Sequence, residues 1–371
     1  MILISTQCFP PAIGGIESLI HNLASQLHNR GYEISVFADK TKRDDSSFDL
    51  KQPFNIQRFS GPKPIRRRCK ARAIANTIKQ KKCDALITDS WKSLEHIRIP
   101  KKIKVFCLAH GTELPLHPSP SKKRRIKKSL MKSSTIISNS KYTSSRLTPF
   151  VGGERPITVI HPAINRPSRP QDNDMQNVKA SISGRSPVLI SIGRLESRKG
   201  FDTVINILPE LIKKYPNLLY VLIGDGSLRE NISEVVQQSS LENNVLFAGY
   251  LDEGILNAWI ASSDLFVLPA RQVKDDVEGF GIAYIEAAWF GLPAIAGNSG
   301  GAKEAVIDCE TGLVCDGDSR ASVLEGIRKL LGDTALRNQM GKKAREHAQS
   351  LLWENVIEDY VKLIEGNLID R

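Results

Sequence analysis

The chain has 371 residues, 41% of them hydrophobic, which is enough for two domains with ordinary globular cores. No apolar run reaches the roughly 20 residues of a membrane-spanning helix, so none is predicted. Residues 1–165 carry 30 basic and 11 acidic side chains, a net charge of +19, whereas the remainder carries −7. This asymmetry indicates that the first half meets a polyanion.

The chain begins with MILISTQCFPPAIGG, a short apolar start without a preceding basic region. This pattern predicts a buried first strand rather than a signal peptide, and hence a cytoplasmic protein. The six cysteines show no CxxC pair and no zinc-ligand spacing, which favours reduced thiols.

Short apolar runs alternate with helix-like stretches along the whole chain. The predicted strands of the first half are MILIST, EISVFAD, ALITD, KVFCLAH and TIISNS, and those of the second half are VLISIGRL, LYVLIGDG, VLFAGYL, LFVLPA and PAIAG. Helices are predicted between them, for example over 18–30 and 200–215. Such alternation predicts parallel sheets with crossover helices, the α/β class.

The segment VIHPAINRPSRPQDNDMQ (159–176) has three prolines and no periodicity, which is typical of a linker. The alternation of strands and helices restarts after it. We therefore predict two doubly wound Rossmann-like domains, residues 1–165 and 166–351, that face each other across a cleft. A C-terminal helix, residues 352–371, would join the first domain. Ligands of such sheets bind at the carboxyl ends of the strands.

Basic residues cluster at 62–72, 79–82 and 121–134. The last cluster, SKKRRIKKSLMKSS, places Ile126, Leu130 and Met131 at near-helical spacing, which predicts a short amphipathic helix with a basic face. Such helices commonly lie on anionic lipid, and a solvated helix face is the alternative. No zinc finger, aromatic RNA-binding motif or heptad repeat points to nucleic acid.

Two loops have the composition of phosphate-binding sites. In FPPAIGGIE, Gly14 and Gly15 precede a helix whose N-terminal N–H groups and dipole favour an anion. In SIGRLESRKGF, Arg194 and Lys199 lie between a strand and a helix, where arginine can bind a diphosphate bidentately and lysine adds a point charge. Taken singly, each loop is also compatible with an ordinary turn or with surface cations.

Two further features are ambiguous by themselves. His110, in LAHGTE, follows a predicted strand and could be a general base, a sugar ligand or a structural histidine, of which the last is favoured. The DGD at 316–318 matches the DxD metal motif of some glycosyltransferases, but its turn-like surroundings disfavour a metal. We predict no metal site.

The stretch DVEGFGIAYIEA contains Glu278 and Glu286, eight residues apart. The two glycines after Glu278 weaken a continuous helix. We therefore predict that Glu278 lies in a loop and that a helix runs over 282–290, with Glu286 just over one turn inside it. An anion would meet the first N–H groups of that helix, which belong to Gly281, Ile282 and Ala283.

Together these segments resemble glycosyltransferase family 4, the retaining enzymes of GT-B fold. The resemblance spans nearly the whole chain and rests on the Gly-Gly loop, HGTE (110–113), SNSKYT (138–143), GRLESRKG (193–200), GDG (224–226), the paired glutamates and GNSGGAKEAV (297–306). Within the family, FPPAIGGIE and the run from PAR (269–271) through AIAGNSGGA are most similar to GDP-mannose-dependent α-mannosyltransferases of the phosphatidylinositol-mannoside type.

The resemblance implies how the donor phosphates would be bound. Arg194 and Lys199 would hold the diphosphate and stabilise the leaving group. Gly15 would give the backbone room beside it. The N–H groups that follow Glu278, those of Gly281, Ile282 and Ala283, would lie near the sugar and the phosphates.

The resemblance also implies roles around the sugar and the nucleoside. Glu278 would contact the transferred sugar, and His110 would face that sugar from the first domain. Glu286 would bind the ribose hydroxyls. The nucleobase would lie near Gly224 and the loop that contains Tyr250.

The implied activity is transfer of a hexose, mannose from GDP-mannose, to a hydroxyl group of a membrane-associated glycan or glycolipid in cell-envelope polysaccharide synthesis. It would need no metal or other cofactor and would take place at the inner face of the cell membrane. A UDP-sugar donor with a soluble acceptor, a UDP-sugar epimerase and a non-catalytic subunit stay open. A glycoside hydrolase needs two carboxyl groups facing each other roughly 5–9.5 Å apart, and would leave Arg194 and Lys199 unexplained.

Overall fold

A computed structural model of the chain describes residues 1–366, which divide into two compact units. Met1–Ala163 and the chain from Trp353 onward form the first unit, and Ile164–Leu352 forms the second. The helix predicted over 352–371 is present as Trp353–Glu365, and its last residues, 367–371, lie outside the described part.

The first unit is built on a parallel sheet of seven strands. Numbered in chain order, they are β1 Ile2–Ser5, β2 Ile34–Asp39, β3 Asn55–Phe59, β4 Ala85–Thr88, β5 Lys104–Ala109, β6 Thr135–Ser138 and β7 Ile157–Val159. Their order in the sheet is β3-β2-β1-β4-β5-β6-β7. Ile2 of β1 is in register with Ile34 on one side and Ala85 on the other, so the strand order reverses between β1 and β4.

Helices flank this sheet and bury apolar residues against it. They are α1 Gly15–Asn29, α2 Asp45–Asp49, α3 Lys63–Gln80, α4 Trp91–Leu94, α5 Pro120–Leu130, α6 Lys141–Val151 and, from the end of the chain, α15 Trp353–Glu365. The last helix packs on α1, and Arg30 forms an ion pair with Glu358 at 2.7 Å. The C-terminal segment therefore completes the first unit although it follows the second in sequence.

The second unit is built on a parallel sheet of six strands. They are β8 Val188–Ile192, β9 Leu219–Ile223, β10 Val245–Gly249, β11 Leu265–Leu268, β12 Ala294–Gly297 and β13 Gly312–Cys315. Their order is β10-β9-β8-β11-β12-β13. The strand order thus reverses between β8 and β11, where Leu189 lies beside Leu265. In doubly wound sheets such a switch point is where a ligand binds.

The helices of the second unit connect these strands. They are α7 Asp172–Ile182, α8 Phe201–Ile212, α9 Arg229–Gln238, α10 Glu253–Ala261, α11 Ile282–Trp289, α12 Ala302–Ala305, α13 Arg320–Gly332 and α14 Thr334–Ser350, with a 3-10 turn over Ser197–Lys199 before α8. The predicted helix over 282–290 is therefore α11, one residue shorter at its end.

Two predictions about the chain's organisation need correction. The sequence pattern missed β3, β7 and β13, each of which lies at an edge of its sheet. Part of the predicted linker is helical, because α7 begins at Asp172. Asp172 and Asp174 lie in its first turn, where acidic side chains interact favourably with the helix dipole.

The amphipathic helix predicted in the basic cluster is α5, but its apolar face points into the protein. Ile126 and Leu130 are fully buried in the core of the first unit. They are therefore unavailable to a lipid surface. What α5 exposes is its basic face, which includes Lys123, Arg124 and Lys128.

Candidate active site

The second unit brings most of the predicted site residues to one edge of its sheet. Arg194 and Lys199 follow β8, and Glu278 follows β11, the two neighbouring strands at the switch point. The loops are tied together by a hydrogen bond from the N–H of Arg271 to the carbonyl oxygen of Arg198, 2.8 Å long. The topology therefore explains why residues about 80 positions apart meet.

A cluster of charged side chains lies at this point. Glu278 is almost fully buried, and its Oε2 accepts hydrogen bonds from Arg198 Nη1 at 2.7 Å and Lys199 Nζ at 2.5 Å. Arg194, whose side chain is 67% exposed, forms an ion pair with Glu196 at 2.8 Å. The two cations predicted to bind a diphosphate are thus each paired with a carboxylate in the ligand-free protein.

These contacts determine the ionisation of the buried carboxylate. Burial raises the pKa of Glu278, but the charges of Lys199 and Arg198 and their hydrogen bonds outweigh it and bring the pKa below its ordinary value. Burial lowers the pKa of Arg198, and Glu278, Asp276 and Glu196 together raise it above the ordinary value. Glu278 and Arg198 are therefore both charged at neutral pH.

Glycines in the loop after β12 hold Glu278 in place. The N–H of Gly301 donates to the carbonyl oxygen of Glu278 at 2.8 Å. A Cβ atom on Gly300 would lie 2.1 Å from that same oxygen, and Gly300 has a φ of 64°. Both the lack of space and the left-handed backbone conformation therefore exclude a side chain. The GNSGG segment therefore serves to let one loop close on another at the candidate site.

Helix α11 begins directly behind Glu278. Its N-cap is Gly281, with a φ of 95°, and no acidic residue lies in the first turn. The first N–H groups of a helix have no acceptor within it, so those of Ile282 and Ala283, which are half-buried, are suited to an anion.

Glu286 lies one turn into α11, on the same side as Ile282. Burial, and then the negative charge of Glu253, raise the pKa of Glu286 above its ordinary value. The two glutamates of the pair thus have opposite environments: Glu278 is neutralised by cations, and Glu286 is not.

The loops after β8, β9 and β10 also meet at this edge. The N–H of Gly224 donates to the carbonyl oxygen of Gly249 at 2.7 Å, and a Cβ on Gly224 would lie 2.1 Å from the carbonyl oxygen of Gly193. Tyr250 comes next and is 68% exposed. The structure therefore groups the segments predicted to surround the nucleobase.

The glycine-rich loop belongs to the first unit, where it follows β1 at the switch point with β4. Gly15 is exposed and is the first residue of α1. The carboxylate of Glu17 lies at the same helix N-terminus, 2.2 Å from the position of a Cβ on Gly14. An anion bound at the N-terminus of α1 would therefore lie beside the carboxylate of Glu17.

The loop before Gly14 is fixed by Arg58. Its guanidinium lies 5.3 Å from the centre of the Phe9 ring and donates to the carbonyl oxygen of Pro10. An ion pair with Asp49 at 2.6 Å holds the guanidinium in turn.

His110 also belongs to the first unit, at the end of β5, and is buried. Its Nε2 lies 3.0 Å from the carbonyl oxygen of Asp89, so Nε2 carries a proton and donates it. The backbone N–H of His110 donates to Glu113 at 2.8 Å, which accounts for the spacing of the HGTE motif. With Nε2 engaged, only Nδ1 could accept a proton.

The remaining candidates for metal or thiol chemistry are the DGD segment and the cysteines. Residues 1–366 contain no group of three or more His, Cys, Asp or Glu side chains arranged to hold a metal. Asp318 of the DGD segment lies 3.9 Å from Arg271. Burial raises the pKa of Cys8 and of Cys107 to about 12, so both stay protonated.

Arg198 is central to the cluster but was not among the predicted site residues. Besides Glu278, it contacts Glu196 at 3.1 Å and Asp276 at 3.3 Å. A basic residue directly before Lys199 was the available signal, but neighbouring cations are common on surfaces. Only the 3-10 turn over 197–199 shows that Arg198 points inward.

Family comparisons agree with this architecture. The model of Glycosyltransferase Family 4 matches residues 13–166, and the model of Glycosyl transferases group 1 matches residues 172–347. A GDP-mannose-dependent monoacylated alpha-(1-6)-phosphatidylinositol monomannoside mannosyltransferase from Corynebacterium glutamicum is 27% identical, over 98% of this chain and 97% of the relative.

Solved structures agree on the fold. Sucrose-phosphate synthase from Thermosynechococcus elongatus matches with a TM-score of 0.82 at 22% identity, over 98% of each chain. Alr3699/HepE from Anabaena, in complex with UDP, matches with a TM-score of 0.80 at 18% identity, over 98% of this chain and 99% of that one. The chain thus belongs to glycosyltransferase family 4 and is a glycosyltransferase of GT-B fold.

Proposed function

We propose that this protein transfers mannose from GDP-mannose to a hydroxyl group of a glycan or glycolipid acceptor, with retention of the α configuration. The observation that carries the proposal is the cluster of Arg194, Lys199 and Glu278 at the switch point of the second sheet, beside the start of α11. The choice of donor is supported by the Corynebacterium relative, which is similar over nearly its whole length.

The cations would bind the donor diphosphate. Arg194 is exposed enough to reach a ligand, and Lys199 lies at the base of the same loop. The N–H groups of Gly281, Ile282 and Ala283 would add hydrogen bonds and the positive end of a helix dipole. Together they would replace the water that surrounds a free diphosphate.

The remaining residues would hold the sugar and the nucleoside. Glu278 would accept hydrogen bonds from hydroxyl groups of the sugar, and Glu286 from those of the ribose. The base would lie by Gly224 and Tyr250. That His110 faces the sugar stays a prediction, and Nδ1 is the ring nitrogen that does not bond Asp89.

Chemistry would then rest on position and charge. The bond between the anomeric carbon and the phosphate oxygen breaks while the acceptor oxygen bonds to that carbon on the same face. The acceptor's proton passes to the departing phosphate. Arg194 and Lys199 would stabilise the negative charge that develops there, so the reaction would need no metal.

The basic face of the first unit would bring the enzyme to an anionic lipid surface. Arg67 of α3 and Arg125 of α5 both approach Glu95, so the two basic helices lie close together. Burial lowers the pKa of the neighbouring His96, Glu95 opposes this shift, and the nearby charges of Arg68, Lys132 and Arg67 lower the pKa further. Because the apolar side of α5 is in the core, attachment would be electrostatic and salt-sensitive.

The donor is tested by incubating the purified protein with GDP-mannose, UDP-glucose and UDP-N-acetylglucosamine, each with membrane extract. We expect release of GDP and a mannosylated lipid or glycan. Release of UDP instead would move the proposal to a UDP-sugar donor. Intact donors with every extract would contradict transferase activity. The product's anomeric configuration, read by NMR coupling, tests retention.

The membrane contact is tested by sedimentation with vesicles of neutral lipid alone or with added anionic lipid. We expect binding only to anionic vesicles, falling as salt rises. A variant that combines K123Q, R124Q and K128Q should lose vesicle binding. A matched control, which should retain vesicle binding, replaces three exposed lysines of the second unit by K213Q, K329Q and K342Q. Equal loss in both variants would point to net charge rather than this face.

A further inference from the structure

Arg198 is a buried arginine with three acidic partners. Its side chain is 9% exposed, and its three guanidinium nitrogens approach Glu278 at 2.7 Å, Glu196 at 3.1 Å and Asp276 at 3.3 Å. Only the contact with Glu278 has hydrogen-bond geometry, and within residues 1–366 Arg198 Nε and Glu196 Oε2 have no hydrogen-bond partner, so the contacts with Glu196 and Asp276 are ion pairs. The three nitrogens of one planar guanidinium nevertheless reach three carboxylates at once, which the single ammonium group of a lysine does less well.

Two of those partners also hold the cations assigned above to the donor. Glu196 pairs with Arg194 at 2.8 Å, and Glu278 pairs with Lys199 at 2.5 Å. A diphosphate that binds these cations must therefore compete with two carboxylates that already occupy them.

We propose that Arg198 is a positioning residue that keeps Glu196 and Glu278 in place when Arg194 and Lys199 turn from these carboxylates to the donor diphosphate. The inference rests on the proposed function, because it concerns the same donor site. With Arg198 present, each carboxylate keeps one cationic partner after the ligand binds. Glu278 also stays aimed at the place where the sugar would lie.

The charge balance of the cluster gives the reason. Arg194, Arg198 and Lys199 face Glu196, Asp276 and Glu278, so three positive charges meet three negative ones. Without Arg198 the cluster is negative before the anionic donor arrives. Glu196 and Glu278 would then hold Arg194 and Lys199 more firmly, and the diphosphate would bind more weakly.

The test is a double-mutant cycle on the full chain, with GDP as the probe and calorimetry as the readout. The four proteins are wild type, R198Q, E196Q and R198Q/E196Q. We expect R198Q to weaken GDP binding about tenfold in the wild-type background, and clearly less, about threefold, in the E196Q background. The reason is that one of the two competing carboxylates is then already neutral.

A purely structural or long-range electrostatic role of Arg198 gives a different result. The R198Q substitution would then have the same effect in both backgrounds, and that outcome overturns the proposal. So does GDP binding by R198Q within twofold of wild type. Thermal unfolding and circular dichroism establish that each variant is folded. If R198Q is not folded, the cycle is run with R198M, which also removes the charge, and the same sign of coupling is expected.

Failure of the inference can be told apart from failure of the proposed function. If wild type binds neither GDP nor UDP, the donor site itself is wrong, and the inference falls with it. If wild type binds UDP only, the cycle is run with UDP. If wild type binds a nucleotide and the cycle is additive, the donor site stands and the role of Arg198 is refuted.

Discussion

Replacing Glu278 and Glu286 one at a time by glutamine should affect the stability of the ligand-free protein in different directions. Glu278 is the buried partner of Lys199 and Arg198, and these cations bring its pKa below the ordinary value. Glu286 is half-buried, and its pKa is raised by burial and by Glu253. The same substitution therefore removes a favourable charge at one position and an unfavourable one at the other.

The expected size follows from the contacts of Glu278. Removing one partner of a buried ion pair costs about 3–5 kcal/mol, because the other charge is left without compensation. Glutamine still offers a carbonyl oxygen, and Arg198 keeps Glu196 and Asp276. We therefore expect E278Q to lower the unfolding free energy by about 3 kcal/mol, which is roughly 6–12 °C in the melting temperature of a unit of this size. E286Q should not lower it.

The dependence on pH gives a second measurement. A carboxylate whose pKa is lowered in the folded state stabilises that state above its ordinary pKa, here 4.5, and the contribution is lost as the pH falls through the native pKa. The melting temperatures of wild type and E278Q should differ most at neutral pH and converge below about pH 4.5. Calorimetric melts from pH 7 downward, with E286Q as the matched control, provide the data.

The opposite environments assigned to the two glutamates are refuted if E278Q has the melting temperature of wild type at pH 7 while E286Q has a lower one. Nucleotide binding by E278Q separates stability from function. Because E278Q releases Lys199 from its carboxylate, the variant should bind GDP more tightly than wild type, yet it should turn over donor far more slowly. Weaker GDP binding by a folded E278Q would contradict the idea that this carboxylate competes with the diphosphate.

Three further predictions concern the core, the metal and the nucleobase. Ile126→Ala should cost about 2–5 kcal/mol of stability, because the side chain is fully buried, while vesicle binding by the folded protein stays unchanged. Loss of vesicle binding in folded I126A would argue that α5 inserts its apolar face. Chelation with EDTA should leave turnover unchanged, and inhibition reversed by Mg²⁺ would contradict the role given to Arg194 and Lys199. Tyr250→Ala should raise the donor KM with kcat unchanged, and an unaltered KM would remove Tyr250 from the donor site.

Most strands that are buried on both faces could be read from the sequence, although β13, which is largely buried, was missed. Central strands such as β1, β4 and β9 are buried at every position and appear as apolar runs. The edge strands β3 and β7 are only partly buried, so their sequences contain polar residues and give no such signal. The α/β class and the two doubly wound domains were therefore predictable from the pattern, and the resemblance implied the GT-B fold, while the full width of each sheet was not predictable.

The amphipathic pattern of α5 shows a related limit. Spacing reveals that Ile126 and Leu130 share a helix face, but it does not say what covers that face. Here both residues are buried in the core of the first unit, where α5 packs against α4 and α6. The membrane contact consequently remains a prediction about the exposed lysines and arginines alone.

The candidate site was predictable in most of its members, with Arg198 as the exception, and not in its pairings. Order along the chain places Arg194, Lys199 and Glu278 after neighbouring strands, and the topology brings them together. That the cations are already paired follows only from side-chain distances. Because these cations are already paired, donor binding would replace carboxylates by a diphosphate and would not simply fill an empty site. An exchange needs a residue that stays behind with the released carboxylates, and Arg198 is the buried cation that contacts both.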